Sequence, residues 1–504
     1  MMRISNHSRK RQRGGGEQKT AEYSSTLFQF FSNNSKCLQT LCLLTLCQVV
    51  LSAYHYHNVY KTTKTFSSFG SSSTSLQFAS SGNSAIPKHH PSSPVNSALH
   101  VSFAASAAAN ARVESVAANP LNTYTNTDKD GTTTTTTTTT TILPEWNELS
   151  GAAQTELQQM LNWDKVSTFD YPEIFRLDEL TQGHSLLFMS WAIVASPYSQ
   201  PLLLSSSASQ QEQQEQQDNE YCNLLDAFGI SPTAFMDYVR TIEQGYQKNN
   251  PYHNHIHAAD VLQTLHSMLQ SESYRLTKVQ HFSLLLASIL HDVGHDGTNN
   301  DFQVQTQSQL AIRYQNVSVL EQHHVEVGLK ELDSSELLDH LPLQQRDEIR
   351  QFIAQAILHT DMAKHQEQVE RASQAASTPP PPPQDDDDDD DWQAAMYLLH
   401  LCDISNPTKS TFSIWTEHVL EEFYQLGDLQ KSLGLPVSFD RSVANSNSKV
   451  SIQQGFLKFL VLPAFEAMEF SNPKIMQGLY ANYEYWMKQD KEEDAETAAE
   501  AAGD

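Results

Sequence analysis

Basic residues are scarce in this 504-residue chain: 32 lysines and arginines stand against 59 aspartates and glutamates, for a net charge of −27 at pH 7. That excess repels nucleic acid phosphates and argues against a nucleic-acid partner, although a charge total does not describe local pockets. Seven of the acids form a single run, Asp385 to Asp391, so the excess is partly local. Cysteine is equally sparse. Five residues, three of them at Cys37, Cys42 and Cys47, make no disulfide framework for a chain this long, and a reducing compartment is the simpler setting for the folded part. Period-two alternation is missing over any stretch comparable to the helical patterns below, which argues against a β-rich domain.

Long apolar runs are also missing, with one exception: Cys37 to Tyr54, CLQTLCLLTLCQVVLSAY, preceded by Arg9, Lys10, Arg11, Arg13 and Lys36. Its eighteen residues barely reach across a bilayer, and Gln39 and Gln48 weaken the case. The run reads as a membrane tether, with a targeting peptide or an unstructured segment as alternatives, and its cysteines would suit acylation. A single span with this charge bias would carry the rest of the chain out of the cytosol, in conflict with the cytoplasmic setting expected for the folded domain. The remainder of residues 1–145 is rich in Ser, Thr, Asn and Ala and includes ten consecutive threonines, Thr132 to Thr141. Such a segment has too little apolar area to offset its ordering entropy and is expected to be mostly disordered.

From Trp163 the texture changes. Apolar residues recur at helical spacing in LLFMSWAIV (186–194), FMDYVRTIEQGY (235–246), HFSLLLASILHDV (281–293), DEIRQFIAQAIL (347–358), AAMYLLHLCDI (394–404) and IWTEHVLEEFYQLG (414–427). The pattern continues to about residue 488 and predicts an all-α, compact multi-helix domain over 163–488, followed by an acidic disordered tail at 489–504. A Ser/Gln/Glu run at 205–219 and the proline and aspartate run at 377–391 read as solvated surface loops.

Chemistry concentrates in Tyr252-His253-Asn254-His255-Ile256-His257-Ala258-Ala259-Asp260 and in His291-Asp292-Val293-Gly294-His295. His253 and His257 lie one helical turn apart and point the same way on a helix, as metal ligands would. His291 and Asp292 close an apolar helix; adjacent helical residues diverge by about 100°, so both can reach one ion only near a helix end. Asp403 ends another apolar helix, where an unpaired carboxylate would be costly and ligation would resolve the cost.

At this point the domain resembles the catalytic domain of the class I 3′,5′-cyclic nucleotide phosphodiesterases, within the wider HD-domain phosphohydrolases. The resemblance rests on PYHNHIHAADV (251–261), HDVGHDGTNN (291–300), SVLEQHHVEVG (318–328), ILHTDMAKH (357–365), HLCDISNPTK (400–409), EEFYQLGD (421–428) and QQGF (453–456), in the family's order. It implies that His257, His291, Asp292 and Asp403 bind a first metal, usually zinc. Asp292 would bridge to a second, usually magnesium or manganese, with His295, Glu321 and Thr360 holding its waters. It implies further that His253 is the general acid, oriented by Glu422. Gln453 would hydrogen-bond the purine edge, Phe456 and Val419 would sandwich the ring, and Asn406 and Tyr252 would lie near it. His255 receives no role.

The implied reaction is hydrolysis of cAMP, cGMP or both to the 5′-monophosphate, ending a cyclic nucleotide signal. A two-metal-bound hydroxide would attack phosphorus while His253 protonates the departing O3′. A glutamine alone cannot choose the base, because its amide rotates to satisfy either adenine or guanine. A non-catalytic cyclic nucleotide binder and a phosphohydrolase for another ester are the alternatives. The chain departs from the family pattern at Gly294, Asp296, Gln322, His359, Gln454 and Leu429-Gln430. None of these is an implied metal ligand, but Gly294 bears on the rigidity around the metals and Gln454 on the base pocket. No regulatory domain is recognisable upstream of Trp163, and nothing in the sequence sets the oligomeric state.

Overall fold

The computed structural model describes residues 123–127, 133–137, 143–196, 199, 224–272, 274–377, 388–441 and 449–503. From Leu143 onward these residues form helices and no strand, as the apolar spacing predicts. The described residues hold a single sheet, an antiparallel ribbon of β1 (Thr123–Thr127) and β2 (Thr133–Thr137) with Thr123 opposite Thr137.

Two helices, α1 (Pro144–Glu148) and α2 (Gly151–Met160), precede Trp163 and belong to the packed unit. Leu143, Leu157 and Leu161 are buried in the main core, and Trp146 lies 5.4 Å from Trp191, ring centre to ring centre. Glu145 accepts both Nε and Nη2 of Arg240 at 2.5 and 3.0 Å. The short elements escaped detection because each spans too few turns to show a period.

The centre of the domain is built from α3 (Ile174–Leu180), α4 (Ser185–Ile193), α5 (Pro232–Gly245), α6 (His255–Ser271) and α7 (Lys278–Leu290). All nine residues of α4 are buried, as expected of a helix that is apolar all round. It packs on α6, which also meets α7 and the later helix α10. Thr277 and Gln280 close a capping box at the start of α7, satisfying two of the backbone donors that a helix start leaves unpaired. Farther along come α8 (Val319–Ser334), α9 (Leu343–Leu358), α10 (Asp388–Asp403), α11 (Phe412–Ser432), α12 (Lys449–Phe456) and α13 (Pro473–Gly503).

Helix α13 covers the segment expected to be a disordered acidic tail. Ala, Glu and Lys dominate its distal half, and all three are strong helix formers. No helix among the described residues is long and apolar enough to cross a membrane. The helix that is buried all round, α4, has only nine residues, too few to span a bilayer, and the longest, α13, is interrupted by Lys, Asp and Glu. The membrane tether and membrane association expected through residues 37–54 are therefore withdrawn, and that segment lies outside the described residues.

Deleting residues 1–142 should leave thermal stability nearly unchanged, whereas deletion through Asn162 strips three buried leucines. At about 1.5 to 3 kcal/mol for each leucine, the longer deletion should lower the melting temperature by many degrees. Equal melting of the two truncations would show that α1 and α2 are dispensable.

Candidate metal centre and adjoining cleft

Three helix ends meet at the site. Asn254 caps α6, its side chain accepting from Ile256 N at 2.8 Å and His257 N at 3.4 Å, which places His257 in the first turn. His291 is the C-cap of α7, and Asp292 follows where the chain leaves the helix. Gly294, at φ +80°, makes the turn that brings His295 back toward the helix end. Asp403 is the last residue of α10. The requirement that His291 and Asp292 sit at a helix end is thus met.

These four residues form a candidate metal-binding cluster, with one ligand atom from each lying within 4.8 Å of the others. His257 Nε2 is 2.9 Å from Asp403 Oδ1 and 3.6 Å from Asp292 Oδ2. His291 Nε2 is 3.2 Å from Asp292 Oδ2 and 3.5 Å from Asp403 Oδ1. His291 Nδ1 lies 2.9 Å from the Ser288 carbonyl, a contact that calls for the proton on Nδ1 and turns the lone pair of Nε2 toward the carboxylates. His291 Nε2 and Asp292 Oδ2 are both buried and find no hydrogen-bond partner. Lone pairs facing one another in the interior are satisfied by a cation placed between them, so the donor set fits a divalent metal. Burial opposes charge on Asp292, Asp403 and His291, yet without a cation the imidazoles hold both carboxyls below the usual carboxylate range and the carboxylates hold His291 well above the usual histidine range, so that a proton on Nε2 takes the place a metal would fill.

A second constellation lies alongside. His253 Nδ1 hydrogen-bonds Glu422 Oε1, and Glu422 Oε2 accepts the backbone N–H of Tyr252 at 2.9 Å and of His253 at 3.0 Å. Burial works against the His253 imidazolium, but the charge and hydrogen bond of Glu422 outweigh it and raise the histidine to about 9. Glu422 is lowered to about 2 by the same pairing, against its own burial. The His253 ring stacks on His295 at 4.0 Å, and His295 Nδ1 accepts the Gly297 N–H at 3.0 Å. Of the residues expected to surround the metals, Glu321 is held by Asn300 Nδ2 at 3.0 and 3.1 Å and is raised to about 7, by burial first and then by the charge of Asp361. Thr360 is buried and donates to the Ile357 carbonyl at 2.9 Å.

The structure also brings the expected base-pocket residues together. Tyr252, Asn406, Val419, Gln453 and Phe456 line one cleft with Ile404, Pro407, Phe412, Trp415 and Thr416. Asn406 is fixed at both ends of its amide: Oδ1 accepts the Tyr252 hydroxyl at 2.5 Å, and Nδ2 donates to Asp260 Oδ2 at 2.9 Å. Gln454 points elsewhere, donating to the Trp486 carbonyl at 3.0 Å, and is not among the residues lining the cleft.

Sequence reasoning missed the parts played by four residues. His324 lies 3.8 Å from Asp292 Oδ1 and bonds the Val293 carbonyl at 2.9 Å; its signal was its place on α8, three residues after Glu321 and so on the same face. Asp260 and Lys409 form a fully buried ion pair at 2.8 Å behind Asn406, signalled by two opposite charges inside otherwise buried motifs. His255, given no role, bonds Asp178 Oδ1 at 2.9 Å and ties the start of α6 to α3.

Fold and site together describe a helical domain with a candidate metal cluster and an adjoining cleft. Residues 252–481 match the profile of the family described as 3′5′-cyclic nucleotide phosphodiesterase. The chain is 36% identical over 266 residues to human dual specificity calcium/calmodulin-dependent 3′,5′-cyclic nucleotide phosphodiesterase 1B, covering 51% of this chain and 48% of that one. It is 34% identical over 324 residues to the mouse 1C enzyme of the same description, covering 62% of this chain and 41% of that one. The chain thus spans less than half the length of these curated relatives. The crystal structure of the phosphodiesterase domain of Salpingoeca rosetta rhodopsin phosphodiesterase shares the fold, at 24% identity and a TM-score of 0.52 over 60% of this chain and 97% of that one.

Asp403→Ala should release metal, read by elemental analysis of the purified protein, and lower its melting temperature. A chelator should then cause no further drop in melting temperature. Full metal content in the variant would remove Asp403 from the cluster.

Proposed function

We propose that the chain hydrolyses 3′,5′-cyclic nucleotides, cAMP, cGMP or both, to nucleoside 5′-monophosphates, through a catalytic region spanning residues 163–488. The observation that carries this reading is the juxtaposition of the His257–His291–Asp292–Asp403 cluster, the His253–Glu422 pair and the apolar cleft. His257, His291, Asp292 and Asp403 would hold zinc, and Asp292 would share a second ion, magnesium or manganese. When bound, such ions lower the pKa of water and draw charge from phosphoryl oxygens.

The chain's own residues supply the rest. His253 is charged at neutral pH and has Nδ1 occupied by Glu422, so the proton it can give up is the one on Nε2. Given to O3′ as the P–O3′ bond breaks, that proton spares the ribose from leaving as an alkoxide. Glu422 fixes the ring and keeps it protonated. In the cleft, Phe456 and Val419 flank the purine, and Gln453 meets its polar edge with either face of its amide. Tyr252 and Asn406, fixed to one another, form a preset wall beside the base. His295, Glu321 and Thr360 would hold water beside the second ion when it is bound.

The direct test is initial-rate measurement on cAMP and cGMP against a panel of other phosphate esters, with metals defined. Turnover confined to cyclic nucleotides supports the reading; tight binding without 5′-monophosphate release would refute it. His253→Asn should cut kcat about a hundred- to ten-thousandfold, as expected for loss of a general acid, with metal content unchanged. Depleted metal in that variant would reassign His253 as a ligand. Because the rate falls as His253 loses its proton, Glu422→Gln should move the alkaline limb of kcat/KM to lower pH. An unmoved limb would uncouple the pair from the reaction.

A further inference from the structure

The cleft is held from behind by a helix that contributes no residue to its lining. Gly478 of α13 lies so close to the Asn406–Thr408 turn that a Cβ there would sit 2.2 Å from the Thr408 carbonyl oxygen. One turn on, Asn482 Nδ2 donates to the Pro407 carbonyl at 2.7 Å and the Lys409 carbonyl at 3.0 Å, clamping the turn that carries Asn406. A further turn along, Trp486 is buried; its backbone carbonyl accepts Gln454 Nε2 at 3.0 Å. Its ring meets Phe412 edge-on at 6.1 Å and lies under the Lys449 ammonium at 5.7 Å. Gly478, Asn482 and Trp486 recur every four residues and form one stripe of α13.

That stripe touches both walls of the cleft. One wall is the Asn406–Thr408 turn, and the other is α12, whose Gln453 and Phe456 line the pocket. Helix α12 has only eight residues and runs straight into a π-helical turn, Leu457–Val461, next to Pro463. Proline cannot donate a backbone hydrogen bond and crowds the carbonyl four residues before it, so α-helical regularity fails here and the direction of α12 is not fixed by a long helix axis. A lateral hydrogen bond to α13 supplies that constraint.

We propose that α13 is the strap that sets the spacing and orientation of the two walls, and that Asn482 and Gln454 are positioning residues for nucleotide binding. Neither touches the substrate; each acts through a neighbour that lines the cleft. Gln454, one of the chain's departures from its family's pattern, serves here as the donor that joins α12 to the strap. The proposal rests on the hydrolysis proposed above for its kinetic consequence, but the mechanical coupling stands or falls by itself.

The test uses the full chain with its metals. Asn482→Ala and Gln454→Leu should each raise KM for cyclic nucleotide about three- to tenfold, the effect of losing a hydrogen bond of ordinary net strength, while kcat and metal content hold. Gln454→Arg, which keeps a donor, should restore KM. Hydrogen exchange should quicken in Asn482→Ala at 406–409 and in Gln454→Leu at 449–456, while the backbone around His257 and His291 is unaffected. Unchanged exchange at those two segments, a fall in kcat at constant KM, or failure of arginine to rescue would overturn the strap. A wild-type chain without activity would instead refute the functional reading, leaving the exchange data to decide the coupling.

Discussion

The constraint on which the site depends is the crowding of like-natured atoms at three helix ends. Two imidazole nitrogens and two carboxylates converge within 4.8 Å in the interior of the domain. A buried carboxylate is tolerated only with compensating charge or hydrogen bonds, and here the compensation is either a second proton on His291, whose Nδ1–H serves the Ser288 carbonyl, or a cation in place of that proton. A cation resolves the arrangement, and the helices are placed accordingly. The cap on α6, the exit from α7 at Gly294 and the end of α10 are each set by local chemistry, and their meeting point is the cluster.

Beside this cluster the domain treats a second histidine differently. His253 and His257 look equivalent on a helical wheel, but His253 precedes the cap at Asn254 and belongs to the approach loop, where Glu422 of α11 captures both its ring and its backbone. The cap therefore separates a histidine facing the carboxylates of the candidate cluster from one paired with Glu422. Glu422 accepts three hydrogen bonds from adjacent residues, so the ring that carries the proton and the chain that positions it move together.

Helix type and the metal cluster were legible in the sequence because both depend on short-range regularities. The 3.6-residue period marks the core helices, and the adjacent His-Asp pair and the lone acid ending an apolar helix mark residues that the fold gathers into the candidate cluster, whereas the four-residue step in HNHIH pairs His257 with His253, which lies outside it. What depends on tertiary neighbours was not legible. Helices α1 and α2 are too short to show a period, yet three leucines tie them to the core. Asp260 and Lys409 are ordinary charges until the fold brings them to 2.8 Å behind Asn406. Gln454 reads as a pocket residue by adjacency to Gln453, but successive helical positions point about 100° apart, and it faces α13 instead. The acidic end of the chain looked unstructured by charge, although its Ala and Glu content favours the helix that forms.

The central claim is that a metal held by His257, His291, Asp292 and Asp403 enables water to open a cyclic phosphodiester. Hydrolysis of cAMP and cGMP in ¹⁸O-labelled water, before and after chelation and after metal is restored, tests it most directly. The account predicts a 5′-monophosphate carrying one labelled phosphate oxygen, loss of the reaction on chelation and its return with added zinc and magnesium. Turnover that survives complete removal of metal, or binding with no labelled product in the metal-replete protein, would contradict it.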